Sequence, residues 1–166
     1  MNGQDLKVTA ENNTVELSLL PIVLKEGISL NAYQHQVQYY ETDMMGITHH
    51  ANYIRWMEEA RIDFMQQLGF PYAEMEKKGF VSPVKTVNCS YLHPSTFGDV
   101  IEIEVSVKSF NGVVLKLEYK MRNKQTQTDV CAAYSEHVFL DRASHFVRLM
   151  RDMPDFYDML NQLCTE

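Results

Sequence analysis

Asn52-Tyr53-Ile54-Arg55-Trp56-Met57-Glu58-Glu59-Ala60-Arg61-Ile62-Asp63-Phe64-Met65-Gln66-Gln67-Leu68 is the stretch on which the fold turns. Its apolar residues Tyr53, Ile54, Met57, Ala60, Ile62, Phe64, Met65 and Leu68 recur at spacings of three and four, the period of an apolar helical stripe. Gly69 and Pro71 then stop it. At ~1.5 Å per residue, a helix over 52–68 runs ~25 Å, long enough to cross a sheet of several strands. Trp56, with apolar positions on both sides, predicts substantial burial. Pro71 and the spacing of Tyr72 and Met75 predict a short second helix over 71–78.

Strand patterns lie on either side. Upstream, Tyr33, His35, Val37 and Tyr39 alternate with Gln34, Gln36 and Gln38, which predicts a half-buried strand over 33–41. Downstream, 80–92 is rich in Val, Thr and aromatics, and 100–108 alternates Ile101, Ile103, Val105 and Val107 against Glu102, Glu104, Ser106 and Lys108. Asn111-Gly112 joins that run to an alternating strand over 113–121, a tight hairpin. A fifth strand follows over 129–140. Pro154 opens a short C-terminal helix with Phe156, Met159, Leu160 and Leu163 on one face. The order of strand, long helix and four strands makes an α+β domain, an antiparallel sheet of about five strands with one long helix on it. Such a helix covers one sheet face, so the other face, or an edge, is expected to seek a partner. Residues 1–30 are mixed, with Val15, Leu17 and Leu19 alternating before Pro21. They form a short strand or an accessory arm of unknown role. The main domain spans 31–141, and 142–166 is a C-terminal helical extension.

Composition narrows the function. With 166 residues, 45% of them hydrophobic and 22% charged, the chain fits one globular domain with a real core. Its 15 basic and 22 acidic residues give a net charge of -7, which disfavours a broad footprint for nucleic acid or anionic lipid. A polyanionic ligand would need local cations or helix-end amides, and Lys85, Lys108, Lys116, Arg122 and Lys124 lie on or beside the predicted sheet. The three cysteines, Cys89, Cys131 and Cys164, have no CxxC spacing and read as reduced thiols of a cytoplasmic protein. The apolar run Leu19-Leu20-Pro21-Ile22-Val23-Leu24 falls far short of the ~20 residues of a membrane span, and no signal-peptide pattern precedes it.

The chemistry concentrates in Tyr39-Tyr40-Glu41-Thr42-Asp43-Met44-Met45-Gly46-Ile47-Thr48-His49-His50-Ala51-Asn52-Tyr53, where a strand end runs into a helix start. Helix N-termini present unpaired N–H groups that hold a developing oxyanion, and a carboxylate just upstream can face the same carbonyl as base or nucleophile. The plainer alternative makes Glu41, Thr42, Asp43 and Asn52 loop and cap residues and Gly46 a turn. Neighbouring histidines diverge and neither HxxxH nor HxH occurs, so no metal is expected at Asp43, His49 and His50, nor any cofactor. GxSxG and GxxxxGK[ST] are both missing, which leaves serine-hydrolase and nucleotide-hydrolase readings without their parts. Glu58 and Arg61, three apart, are expected to pair on the helix.

Tyr40-Glu41-Thr42-Asp43 through Gly46, His50, Asn52-Tyr53, Trp56, Glu58 and Arg61, with weaker support from Pro94, Phe97, Gly98 and Asp99, resembles the 4-hydroxybenzoyl-CoA thioesterase family of hotdog-fold enzymes, in its bacterial acyl-CoA branch. The resemblance runs from about Tyr33 to Asp141. It implies a hotdog fold and hydrolysis of an acyl-CoA to free acid and CoA, with Asp43 as nucleophile or as general base on water. It places a backbone N–H near His49 and His50 on the thioester oxygen. His50 matches a histidine of the acyl-CoA branch and either orients substrate or water or merely lines the pocket. Tyr39 matches a tyrosine implicated there, and Gly46, His49, Asn52 and Glu58 fall at substrate-binding positions. Glu41 stands where the family often has Asp, and Met44-Met45 replace smaller residues. The resemblance further implies a homodimer or homotetramer with pockets between subunits, the turn at 94–99 reaching across from the neighbour. The alternative function is a hotdog module that binds acyl-CoA, or a partner, without turnover; the signatures of a hotdog dehydratase are not evident.

Overall fold

The computed structural model of the chain describes residues 22–23 and 29–164. Most of the 1–30 segment, including the alternation at Val15, Leu17 and Leu19, lies outside them. Ile22–Val23 (β1) and Ser29–Leu30 (β2) pair antiparallel. Then come Tyr33–Gln36 (β3), a 3-10 turn at Tyr39–Glu41, Ala51–Gln67 (α1), Tyr72–Lys77 (α2), Phe80–Val81 (β4) and Val84–Tyr91 (β5). Val100–Phe110 (β6), Val114–Asn123 (β7), Asp129–Val138 (β8), Leu140–Asp141 (β9), Leu149–Asp152 (α3) and Pro154–Leu163 (α4) complete the described chain. The main sheet has five strands in the order β3-β6-β7-β8-β5, with antiparallel pairing throughout. It wraps the 17-residue α1, the hotdog arrangement.

Alternation decides which face of the sheet is dry. Ile101, Ile103, Val105 and Val107 of β6 share a buried face with Leu115, Leu117, Tyr119 and Met121 of β7 and with Cys131 and Ala133 of β8. Tyr53, Trp56, Met57, Ala60, Phe64 and Met65 of α1 fill the space above them. The opposite face carries cross-strand ion pairs: Lys108–Glu118 at 3.6 Å, Lys116–Glu136 at 3.9 Å, Arg122–Asp129 at 3.0 Å and Lys124–Glu102 at 3.6 Å. Lys85 joins Glu136 at 3.4 Å. The five cations considered for an anionic ligand therefore each face a carboxylate. That face is a ladder of charged pairs.

Two expected strands end early for identifiable reasons. The alternation over 33–41 runs on, but β3 stops at Gln36 because the chain turns to bring the Gln38 N–H onto the Glu41 carboxylate at 2.7 Å. The 80–92 run breaks at Ser82-Pro83, since proline has no N–H for the ladder; β4 pairs with β9 outside the main sheet while β5 continues along β8. The hairpin forms at Asn111-Gly112, Gly112 adopting φ +86° and Asn111 Oδ1 accepting the Val113 and Val114 N–H groups. Pro154 begins α4, whose Phe156 packs on Phe70 and Phe139 at ring distances of 4.8 and 5.6 Å and closes the core beyond the end of α1.

The expected Glu58–Arg61 pair does not form. Glu58 is exposed, whereas Arg61 turns inward, buried, with its guanidinium 5.2 Å from the centre of the Tyr72 ring. Close by, Tyr119 Oη and Ser135 Oγ are 2.9 Å apart, and Ser135 Oγ lies 2.7 Å from Nε2 of the buried His137. Burial, reinforced by the charge of Arg61, pushes the His137 imidazole down to about 3.

A group held neutral in the fold but protonated in the unfolded chain makes unfolding easier as acid is added. His137 should therefore cost stability at ~1.4 kcal/mol per pH unit as the pH falls below its ordinary value of 6.5. Urea unfolding between about pH 6.5 and pH 5 checks this: the parent should lose stability steeply, and His137→Asn should show a visibly shallower slope.

Candidate active site

Glu41 organises the crossing from sheet to helix. The residue is 5% exposed, yet both side-chain oxygens are engaged. Oε1 accepts the Trp56 indole N–H at 2.8 Å, and Oε2 accepts the Gln38 N–H at 2.7 Å and lies 2.8 Å from His35 Nε2. Burial alone would push this carboxyl up, but the backbone N–H of Gln38 and the hydrogen bonds from His35 and Trp56 outweigh it and hold Glu41 below the usual carboxylate range. The Glu41 carbonyl accepts the His49 N–H and the Asn52 Nδ2–H, each at 2.8 Å. One residue thus joins β3, the turn and the start of α1.

Between Glu41 and His49 the chain makes a closed loop. Thr42 and Thr48 bridge, the Asp43 N–H reaches the Ile47 carbonyl at 2.9 Å, and the Gly46 N–H returns to the Asp43 carbonyl at 2.9 Å. Gly46 has φ +75°, a left-handed conformation that favours glycine. Asp43 is half-buried. Its Oδ1 accepts the Met45 N–H at 2.8 Å, while Oδ2 has no hydrogen-bond partner among the described residues. The side chains of Met44 and Met45 stand out at the loop tip, fully and three-quarters exposed.

The loop leans on the 94–99 turn of its own chain. Thr48 N–H donates to the Ser95 carbonyl at 2.8 Å, the Thr48 and Ser95 hydroxyls are 2.7 Å apart, and Tyr53 Oη lies 2.9 Å from Ser95 Oγ. Ile47 and Thr96 form a further bridge. Within the protomer, hydroxyl pairing on the buried Ser95 thus seats the turn against the loop.

The site residues expected from sequence separate by role. Asp43, Gly46, His49 and His50 sit on the loop and at the helix start. The His49 N–H is used by Glu41, and the Ala51 N–H points to His49 Nδ1 at 3.3 Å, whereas the His50 N–H has no partner among the described residues. The His50 ring is exposed, 4.2 Å from that of His49, and its carbonyl accepts the Tyr91 hydroxyl at 3.1 Å. Asn52 is buried with its amide committed to Glu41. Tyr39 is exposed in the turn, edge-on to Phe97 at 5.8 Å. Glu58 lies two turns into α1, on its exposed side. Among the described residues no group of three or more His, Cys, Asp or Glu side chains is placed to hold a metal ion. Sequence reasoning missed His35, Glu59 and Ser95. His35 was visible only as an inward position on an alternating strand; that Glu41 turns back onto it is a matter of the 3-10 turn.

A model of the thioesterase-like superfamily matches residues 37–162. YneP of Bacillus subtilis, which bears a provisional acyl-CoA thioesterase name, is 36% identical over 123 residues, 74% of this chain and 88% of its own length. The acyl-CoA thioesterase YbgC of Helicobacter pylori is 32% identical over 83 residues, 49% of this chain and 59% of its own. Among solved structures, a DHNA-CoA thioesterase from Staphylococcus aureus superposes with a TM-score of 0.76 at 28% identity, covering 80% of this chain and 89% of that one.

An amide in place of the Glu41 carboxylate keeps one acceptor but sets an NH2 against the remaining donors. Glu41→Gln should cost about 3 kcal/mol near neutral pH. Because Glu41 is held below its ordinary value, its contribution is complete above about pH 4.5 and is lost as the pH falls through the lowered folded value. Urea unfolding should show the gap between parent and variant closing on acidification through that window.

Proposed function

Since the chain belongs to the thioesterase-like superfamily, we propose that it hydrolyses an acyl-CoA to free acid and CoA with Asp43 as the catalytic carboxylate. It is a thioester hydrolase of the hotdog fold. One observation carries the assignment to Asp43: the segment that leads into a 17-residue helix holds a carboxylate pinned by one oxygen and open at the other, and ends at a His50 N–H with no partner among the described residues. The open Oδ2 attacks the thioester carbon or draws a proton from the water that does. In either case negative charge moves onto the carbonyl oxygen. The His50 N–H, at the positive end of α1, is the donor that receives it. The C–S bond then breaks and CoA leaves as a thiolate, which takes a proton from the Asp43 carboxyl on the general-base route or from solvent on the nucleophilic one. On the latter, water then attacks the Asp43–acyl anhydride, releasing the acid and restoring the carboxylate.

The remaining parts of the site bind rather than react. His50, exposed at the helix start with its ring 4.2 Å from that of His49, orients the acyl-CoA in this reading, and Gly46 and His49 contribute to its binding. Asn52 acts through the Glu41 carbonyl. Tyr39, Met44, Met45, Phe97, Tyr91 and Leu92 leave a ring of exposed apolar surface around the loop and the adjoining β5 edge. A second copy of the chain covering that ring would complete the pocket as a homodimer or homotetramer.

Asp43→Asn should fold like the parent and release free thiol from acyl-CoA at least ~100-fold more slowly. Near-parental turnover would remove Asp43 from the chemistry, and a parent that binds acyl-CoA without steady thiol release would make the protein a binding module. Sedimentation velocity at assay concentration should give a dimer or larger species; an active monomer overturns the shared pocket.

A further inference from the structure

His35 takes no part in the chemistry above, yet both of its ring nitrogens face carboxylates. It points inward from β3, opposite Ile101 of β6, with its side chain 12% exposed and its ring 4.6 Å from that of Trp56. Nε2 lies 2.8 Å from Glu41 Oε2, and Nδ1 lies 3.1 Å from Glu59 Oε2. Ionised carboxylates only accept hydrogen bonds, so a ring with one proton would satisfy one of them and press a lone pair against the other. Both contacts are hydrogen bonds only when the ring donates from both nitrogens, as a charged pair on each side. Glu59 also accepts the Tyr33 hydroxyl at 3.0 Å, and Asp63, one turn further along α1, adds its negative charge to the surroundings of Tyr33. The groups facing His35 are thus Glu41 from the turn, Glu59 from α1 and the Trp56 ring. Tyr33 and Asp63 stand behind Glu59.

We propose that His35 is a positioning residue for thioester hydrolysis: clamped between Glu41 and Glu59, it fixes Glu41, whose backbone sets the loop that carries Asp43. The route is short. The Glu41 carboxylate is held by His35, Gln38 and Trp56, its carbonyl holds the His49 N–H and Asn52, and Asp43 follows two residues later. Loss of the clamp lets the turn and the loop shift together, and a displacement of ~1 Å at a reacting group can lower a rate ~100-fold. Substrate contacts on the exposed rim are untouched, so the effect falls on kcat and spares KM.

The proposal rests on Asp43 as the catalytic carboxylate, and the test keeps the two separable. His35→Gln, which offers one donor side, should lower kcat ~10-fold or more with KM for acyl-CoA within ~2-fold of the parent. Glu59→Leu, at a partly exposed position that folding should tolerate, should do the same to a smaller degree. Glu59→Gln keeps an acceptor for Nδ1–H and should recover most of the loss. Adding His35→Gln to Asp43→Asn should lower the residual rate no further, because the clamp works through Asp43. If Asp43→Asn is inactive while folded His35→Gln and Glu59→Leu keep kcat within twofold, the clamp alone is overturned. It is overturned equally if Glu59→Gln is as slow as Glu59→Leu, or if His35→Gln further slows Asp43→Asn. Full turnover in Asp43→Asn overturns the catalytic reading itself, and with it the route from His35.

Discussion

A carboxylate shut away from water at Glu41 has to be met by donors from every direction, since an unmatched charge in the interior costs several kcal/mol. The donors come from three different elements: the Gln38 N–H from the 3-10 turn, the imidazole of His35 from β3 and the indole of Trp56 from α1. Satisfying one charge therefore fixes the strand end, the turn and the helix relative to one another. The Glu41 carbonyl extends the constraint to the first residues of α1 through His49 and Asn52. Among the groups left without a hydrogen-bond partner from the described residues are one oxygen of Asp43 and the N–H of His50, the pair on which the proposed hydrolysis rests.

The rest of the fold supplies a rigid platform for that crossing. The dry face of the sheet and the apolar stripe of α1 bury each other, and α4 seals the far end with Phe156. The outer face spends its charge on itself in cross-strand pairs, each worth little at an exposed position but together incompatible with an apolar partner. Apolar surface is left instead around the loop tip and the β5 edge. Part of the exposed apolar surface thus lies on the loop and the β5 end that carry the candidate site.

Departures from the family pattern fit this division. Glu41 in place of a common Asp has the reach to meet Trp56 and His35 at once. Met44 and Met45 extend from the loop tip as exposed, flexible apolar side chains, while the Asp43 backbone is held by Ile47 and Gly46. The sheet cations, each facing a carboxylate, leave nucleotide recognition without a strong field from that face.

Periodicity was enough to reveal the long helix, the Asn111-Gly112 hairpin, the succession of elements along the chain and the dry face, because side-chain burial repeats with the geometry of the backbone. Residue types rather than period singled out the segment from Tyr39 to Tyr53 as the candidate site, with loop and cap roles as the plainer alternative. Tertiary structure alone decided which of those residues are free. The alternation of Tyr33, His35, Val37 and Tyr39 gave no hint that the strand stops at Gln36, because a hydrogen bond from Gln38 to a carboxylate three residues later has no period. Nor could helical spacing tell that Arg61 turns inward to Tyr72, away from Glu58. Pairings of this kind, His35 with Glu59 or Thr48 with Ser95, join residues 24 and 47 positions apart. Their existence depends on distances that only the packed chain sets.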